Sequence, residues 1–202
     1  MSKTVEFFFD VGSPSSYLAY TQLGKICTET GSQLIYRPML LGAVFKTTGN
    51  ASPISVPAKA LYTLRDMDRF AKRYGVPLSF NPHFPINTLN LMRAATGVQL
   101  RQPERFIAYL DCIFKALWID GLNLNDPAIV ASALKDGGFD PELIAEWIND
   151  PQVKDQLKAT TELAVQRGVF GAPSMFIGDE LFFGQDRLDF VRETLSSHTL
   201  ST

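Results

Sequence analysis

The chain has 202 residues, 46% hydrophobic and 20% charged, and its 19 basic and 21 acidic side chains leave a formal charge of −2. This is the make-up of one globular domain with an insertion, or of two small domains; it excludes a disordered chain and gives a general nucleic-acid role little electrostatic support. Cys27 and Cys112 lie too far apart in sequence to form a redox or ligand pair and are expected as buried small hydrophobes, while the absence of a secretory or membrane-length apolar run predicts a cytoplasmic protein with no membrane partner.

Val5 to Phe9 is strand-prone, and the Gly12-Ser13-Pro14-Ser15-Ser16 segment follows it. Ser13 fits an N-cap and Pro14 the first helical position, where no backbone donor is needed, so a helix is predicted over Pro14 to about Thr30. Its free amides and positive end suit a thiolate, phosphate or carboxylate, although a Ser-Pro helix start is also an ordinary cap. Gly31 marks a turn, and Leu34 to Arg37 reads as a second strand. These forty residues form a βαβ unit whose functional edge lies at the end of the first strand.

The pattern then changes. Leu61, Leu64, Met67, Ala71 and Tyr74 recur at helical spacing, as do Phe106, Leu110, Ile113 and Leu117. Asp126-Pro127, Asp140-Pro141 and Asp150-Pro151 each pair an N-cap with a first-turn proline and predict three further helices. Residues 43–165 are therefore expected as an inserted helical domain within a discontinuous domain of residues 1–42 and 166–202. After residue 171 strand signals return: Ser174 to Ile177 and Glu180 to Phe183 flank a Gly178-Asp179 hairpin turn, and a last helix starts at Gly184-Gln185-Asp186. Ala172-Pro173 precedes the third strand, where proline fits either a strand edge or a cis bond; this βαβ plus ββα order sets it opposite the first helix's N-terminus.

Such an α/β layout resembles the thioredoxin superfamily, with the helical domain inserted as in its disulfide-oxidoreductase branch. That branch needs Cys-x-x-Cys where this chain has Ser13-Pro14-Ser15-Ser16. The stretches FFFDVGSPSSYLAY, RPMLLGAVFKTTGN, Pro57-Ala58-Lys59, NTLNLMRA, QLKATTELA and RGVFGAPSMFIGDELFFGQDRL resemble the 2-hydroxychromene-2-carboxylate isomerase and kappa-class glutathione transferase family, over about residues 4 to 195.

The resemblance implies glutathione as cofactor, with Ser13 holding and activating its sulfur. No His/Asp partner is evident to make Ser13 a covalent nucleophile. It further implies that Ser15 adds a contact, that Asn50 and Lys59 face glutathione or substrate, and that the Ala172 backbone, beside Pro173, pairs with its cysteinyl part. Gln185 and Asp186 would receive the γ-glutamyl end. Each has a structural alternative: a local hydrogen bond for Ser15, a turn residue with positive φ for Asn50, surface solvation for Lys59 and a helix-dipole charge for Asp186.

Asn87, Asn90, Arg93 and Trp118 are candidates for binding a small aromatic carboxylate substrate, with a cap, a solvated charge and a core aromatic as the competing roles. His83 and His198 carry no metal-ligand pattern. The expected reaction interconverts 2-hydroxychromene-2-carboxylate and trans-o-hydroxybenzylidenepyruvate by reversible thiolate addition. Its rivals are kappa-class transferase or peroxidase activity and a non-catalytic thiol-peptide binding module. A homodimer is also implied.

Overall fold

The computed structural model describes residues 2–197, which leaves His198 outside the described residues. Strand β1 (Thr4–Phe9) leads into helix α1 (Pro14–Thr30) and strand β2 (Gln33–Pro38). Ser13 caps α1 by accepting a hydrogen bond from Ser16 N, and Gly31 ends it at φ 63°, a left-handed conformation that glycine takes without steric cost. Helices α2 (Leu41–Thr48), α3 (Pro57–Tyr74), α4 (Leu89–Arg101), α5 (Phe106–Trp118), α6 (Pro127–Asp136), α7 (Pro141–Asn149) and α8 (Pro151–Gln166) follow. Strands β3 (Ser174–Ile177) and β4 (Glu180–Phe183) and helix α9 (Leu188–Ser196) complete the fold.

The three Asp-Pro steps work as their sequence predicts. Asp126, Asp140 and Asp150 accept bonds from the backbone N–H of Ala128, Glu142 and Gln152, so each helix starts with one orphan donor satisfied. The last helix differs slightly from expectation, because Gln185–Arg187 form a 3₁₀ turn before α9 begins.

The sheet has the order β2-β1-β3-β4, with β1 parallel to β2 and antiparallel to β3. Phe7 and Phe9 point to one face of β1 and Phe8 to the other, as period-2 alternation requires, and all three are fully buried. The Phe7 and Phe9 face belongs to a continuous core that takes Leu18 and Leu23 from α1 and Leu110, Ile113 and Leu117 from α5. The Phe8 face packs with Met39, Val44, Ala164, Val169 and Phe176. Helical and sheet segments thus contribute jointly to both apolar clusters; residues 42 and 43 lie inside α2, and residues 165 and 166 at the end of α8.

The apolar stripe of α3 is only half core. Met67 and Ala71 are buried, but Leu61 is 60% exposed, and Leu64 of the same stripe lines a cavity instead of the core. The segment between α3 and α4 is irregular, and the buried Asn81 ties it to the end of α5 and the turn that follows. That amide donates to the carbonyls of Leu117 and Leu122 at 3.1 and 2.9 Å and accepts from His83 N at 2.8 Å.

Candidate active site

The carboxyl end of β1 opens into a cavity of about 520 Å³ between the sheet and α2 and α3. Ser13, Ser15, Asn50, Lys59 and Ala172 all line it, so segments far apart in sequence converge there. Ser13 is buried, and its hydroxyl bridges two of them: it accepts from Ser16 N and donates to the Ala172 carbonyl, both at 3.1 Å. The Ala172–Pro173 bond is cis. Within the described residues the backbone N–H groups of Ser15 and Ala172 have no hydrogen-bond partner. Residues lining the cavity at the helix N-terminus and on the facing loop thus carry two free amide donors and one hydroxyl, groups suited to a thiolate.

Asp10 supplies what sequence reasoning missed. Its carboxylate, 1% exposed, accepts from Gly12 N at 2.9 Å, Leu41 N at 2.9 Å and Thr88 Oγ1 at 3.0 Å. Burial raises its pKa above the ordinary carboxylate value, and these three bonds only partly oppose that. One side chain thereby ties the serine-bearing turn to the start of α2 and to Thr88 before α4. The sequence did hold a signal: a lone acid closing an apolar strand, two residues before a glycine, is an Asx-turn pattern. Gly12 is needed there because a Cβ would stand 2.6 Å from Thr88 Cγ2.

Phenylalanines make most of the remaining wall. Phe80 and Phe84 meet edge to face at 5.5 Å, and Phe170 and Phe183 lie 4.5 Å apart. Trp118 stands behind Phe80 and Phe84, and its indole N–H donates to the Val11 carbonyl at 2.8 Å. It braces the wall and the serine turn without lining the cavity. Lys59 is the one charged residue lining this cavity, it is exposed, and its ammonium makes no ion pair among the described residues.

The other sequence candidates fall in several places. The Ser15 hydroxyl is turned to Met67 Sδ at 3.4 Å. Asn50 Nδ2 donates to the Phe170 carbonyl at 2.8 Å while Oδ1 accepts from Ala51 N, so this amide clasps the loop that carries Ala172. The positive φ of its turn belongs to Gly49, at 71°, and not to Asn50. Gly184 N donates to the Pro173 carbonyl at 3.0 Å, which sets the Gln185 turn beside the cis bond. Gln185 is buried, its carbonyl accepts from Tyr74 OH at 2.5 Å, and Asp186 pairs with Arg187 at 2.6 Å.

Asn87, Asn90 and Arg93 are not brought to Ser13. Asn87 and Asn90 line a cavity among α4 to α7, and Arg93 lines another beside α8, because α4 stands as a partition with Leu89 touching both spaces. Asn87 accepts from Leu89 N at 3.1 Å, a capping contact at the start of α4. Cys27 is buried and its thiol is pushed up to about 11 by burial; Cys112 is half-buried with its Sγ 3.2 Å from the Ala133 carbonyl.

A mixed sheet interrupted by a helical segment, with serine at the helix start opposite a cis-proline, defines a thioredoxin-like protein whose site lacks its own thiol. A model of the DSBA-like thioredoxin domain matches residues 4–196. The chain is 32% identical over 197 residues to the 2-hydroxychromene-2-carboxylate isomerase of Sphingobium xenophagum, covering 96% of this chain and 99% of that one. It is 30% identical over 207 residues to glutathione S-transferase kappa 1 of Homo sapiens, covering 96% and 92%. A solved 2-hydroxychromene-2-carboxylate isomerase superposes with a TM-score of 0.81 at 29% identity, over 95% of this chain and 94% of the other. The chain therefore belongs to the DSBA-like thioredoxin family and, within it, to the branch of 2-hydroxychromene-2-carboxylate isomerases and kappa-class glutathione transferases.

Proposed function

We propose that this chain is a glutathione-dependent isomerase that interconverts 2-hydroxychromene-2-carboxylate and trans-o-hydroxybenzylidenepyruvate. The observation that carries the reading is the cavity beside Ser13, which pairs a thiolate-holding corner with phenylalanine walls and a single cation, Lys59. Flat rings suit the walls, and a carboxylate suits the lysine. The Sphingobium isomerase and the human kappa transferase cover the chain to the same extent, so this lining supports the isomerase reading over transfer to a generic electrophile.

The donor set fits glutathione. Ser13 Oγ and the free Ser15 and Ala172 amides would hold its cysteinyl part, and Asp186, on the turn that Gly184 N ties to the Pro173 carbonyl, its γ-glutamyl ammonium. Bound glutathione supplies a thiolate whose reversible addition to the conjugated skeleton permits ring opening and bond rotation. For its part, Ser13 turns its O–H from the Ala172 carbonyl toward the sulfur and lowers the thiol pKa, helped by the positive end of α1. The accepting bond from Ser16 N keeps Oγ in place during that rotation. Lys59 orients the organic carboxylate, and the phenylalanines exclude water, which strengthens both interactions.

The division into a discontinuous unit of residues 1–42 and 166–202 and an inserted unit of residues 43–165 is part of this proposal, with the cavity between them. So are a homodimer, for which exposed Val56, Leu61 and Tyr62 offer an apolar face, and a cytoplasmic location. Among the described residues no helix is long and apolar enough to cross a membrane.

One assay tests the activity by following the isomer ratio and free glutathione together. Rapid isomer exchange with undiminished glutathione is expected, whereas stoichiometric consumption of glutathione would make the chain a transferase. Glutathione binding with neither outcome would leave a thiol-peptide module.

A further inference from the structure

Arg93 lines an open-sided cavity of about 580 Å³ between α2, α4 and α8, on the far side of α2 from Ser13. Its floor is apolar, built from Leu40, Ala43, Leu157 and Val165. Arg93 and Lys154 are half-buried on its walls, and among the described residues neither side chain has an ion-pair or hydrogen-bond partner. Lys158 also lines it but faces Glu162 at 3.8 Å, and Asp155 is exposed. Asp155 and Glu162 line the cavity too, but neither lies within ion-pair distance of Arg93 or Lys154, so two half-buried cations stand over an apolar floor without a paired carboxylate, and a half-buried charge gains most from a partner that also covers the apolar surface. Inorganic phosphate would leave the floor wet, and a neutral hydrocarbon would leave both cations unpaired.

Helix α2 is a wall shared by the two cavities. Leu41 and Phe45 face the Ser13 side, while Leu40, Ala43 and Thr47 face the Arg93 side. Its start is fixed from both directions: Leu40 N donates to Thr161 Oγ1 on α8 at 3.0 Å, and Leu41 N to Asp10, which also holds the serine turn. A ligand seated against α8 therefore bears on the segment that shapes the Ser13 cavity.

We propose that the Arg93 cavity binds a small organic anion with a flat or chain-like apolar body, and that its occupancy is felt at the catalytic cavity through α2. Binding and coupling are reciprocal, so what stiffens α2 from one side alters affinity on the other.

The test titrates naphthoate into the full chain by calorimetry without glutathione, so its outcome does not depend on the isomerase reading. Naphthoate also suits the Ser13 cavity, so the titration is made in a Lys59→Met background, where Arg93→Met and Lys154→Met should each weaken the remaining binding by about tenfold or more. The neutral naphthamide should bind more weakly than naphthoate, and bound naphthoate should slow amide hydrogen exchange across residues 41–48. Should either methionine variant unfold, checked by circular dichroism, the other still decides the matter. The site is overturned if naphthoate affinity follows Lys59 alone, ignores both Arg93 and Lys154, or equals that of naphthamide. It is also overturned if sedimentation shows that Arg93→Met dissociates a dimer, since the cavity would then be a subunit contact. Binding without any change in exchange over residues 41–48 overturns the coupling.

Discussion

The two sides of the catalytic cavity are held by different means. On the sheet side the serine turn is bonded into place: Ser13 reaches Ser16 and Ala172, while Asp10 reaches Gly12, Leu41 and Thr88. On the helical side, Phe80, Phe84 and the first turns of α3 present mainly apolar surface, with one unpaired ammonium at Lys59. Hydrogen bonds fix direction and packing fixes volume, so the first side is suited to orienting a sulfur and the second to accepting ring-shaped ligands. Changes on the sheet side should therefore strike rate, and those on the helical side affinity.

The sharpest break is Ser13→Ala. It removes the donor aimed at the developing charge, and kcat should fall by about 10²- to 10³-fold with glutathione affinity little changed; steady-state kinetics with the thiolate's ultraviolet absorbance checks both. An unaltered kcat would remove Ser13 from the mechanism. Next, Lys59→Met should raise KM for the organic carboxylate by about tenfold while leaving kcat within a factor of about two. A fall confined to kcat would show that Lys59 acts on the reaction and not on binding.

Asp10→Asn probes the seam between the two sides. Its Nδ2 would face an N–H donor in place of an acceptor, at a cost of about 1–3 kcal/mol of stability in denaturant unfolding. Because the folded pKa of Asp10 is raised, the native chain holds its proton more tightly than the unfolded one does. Stability from this group consequently falls as pH rises from the unfolded value toward the folded one and is flat above it. Asp10→Asn should erase that slope, and Tm measured against pH will show whether it does. Glu6 has the opposite sense. Burial raises its pKa, but hydrogen bonds from Arg167 and Arg37 outweigh that and hold it low, so its contribution disappears on acidification. The smallest effect is expected from Asp126→Ala, which removes the α6 cap far from Ser13 and should lower stability by about 1 kcal/mol with kcat and KM unaltered.

The elements most legible in the sequence are those written in local chemistry. Serine or aspartate before proline sets four helix starts, and a Gly-Asp pair sets the β3–β4 turn, because caps and turns depend on a few adjacent residues. The helical insertion was visible as periodicity and capping. The irregular stretch between α3 and α4 was not, since Phe80 and Phe84 follow no period and are placed by Asn81 from within the fold. Ser13, Lys59 and Ala172 could be grouped by resemblance. Arg93 follows Asn90 by three positions, and only the packing of α4 between two cavities sends it elsewhere. Asp10 was plain in the text, but its reach to Leu41 and Thr88 is a tertiary fact.

The pairing of β1 with β3 joins Val5 to Ile177 and Phe8 to Ser174, almost from one end of the chain to the other. During synthesis, α1 and the serine turn emerge early, yet Ala172 and the strand that closes the sheet emerge only near completion. Until then β1 has an open edge bearing Phe7 and Phe8, a segment prone to pair with other chains. The same link that completes the active site thus also ends the period of greatest aggregation risk. A ribosome-stalled chain ending before Ser174 should bind a hydrophobic dye that the finished protein excludes.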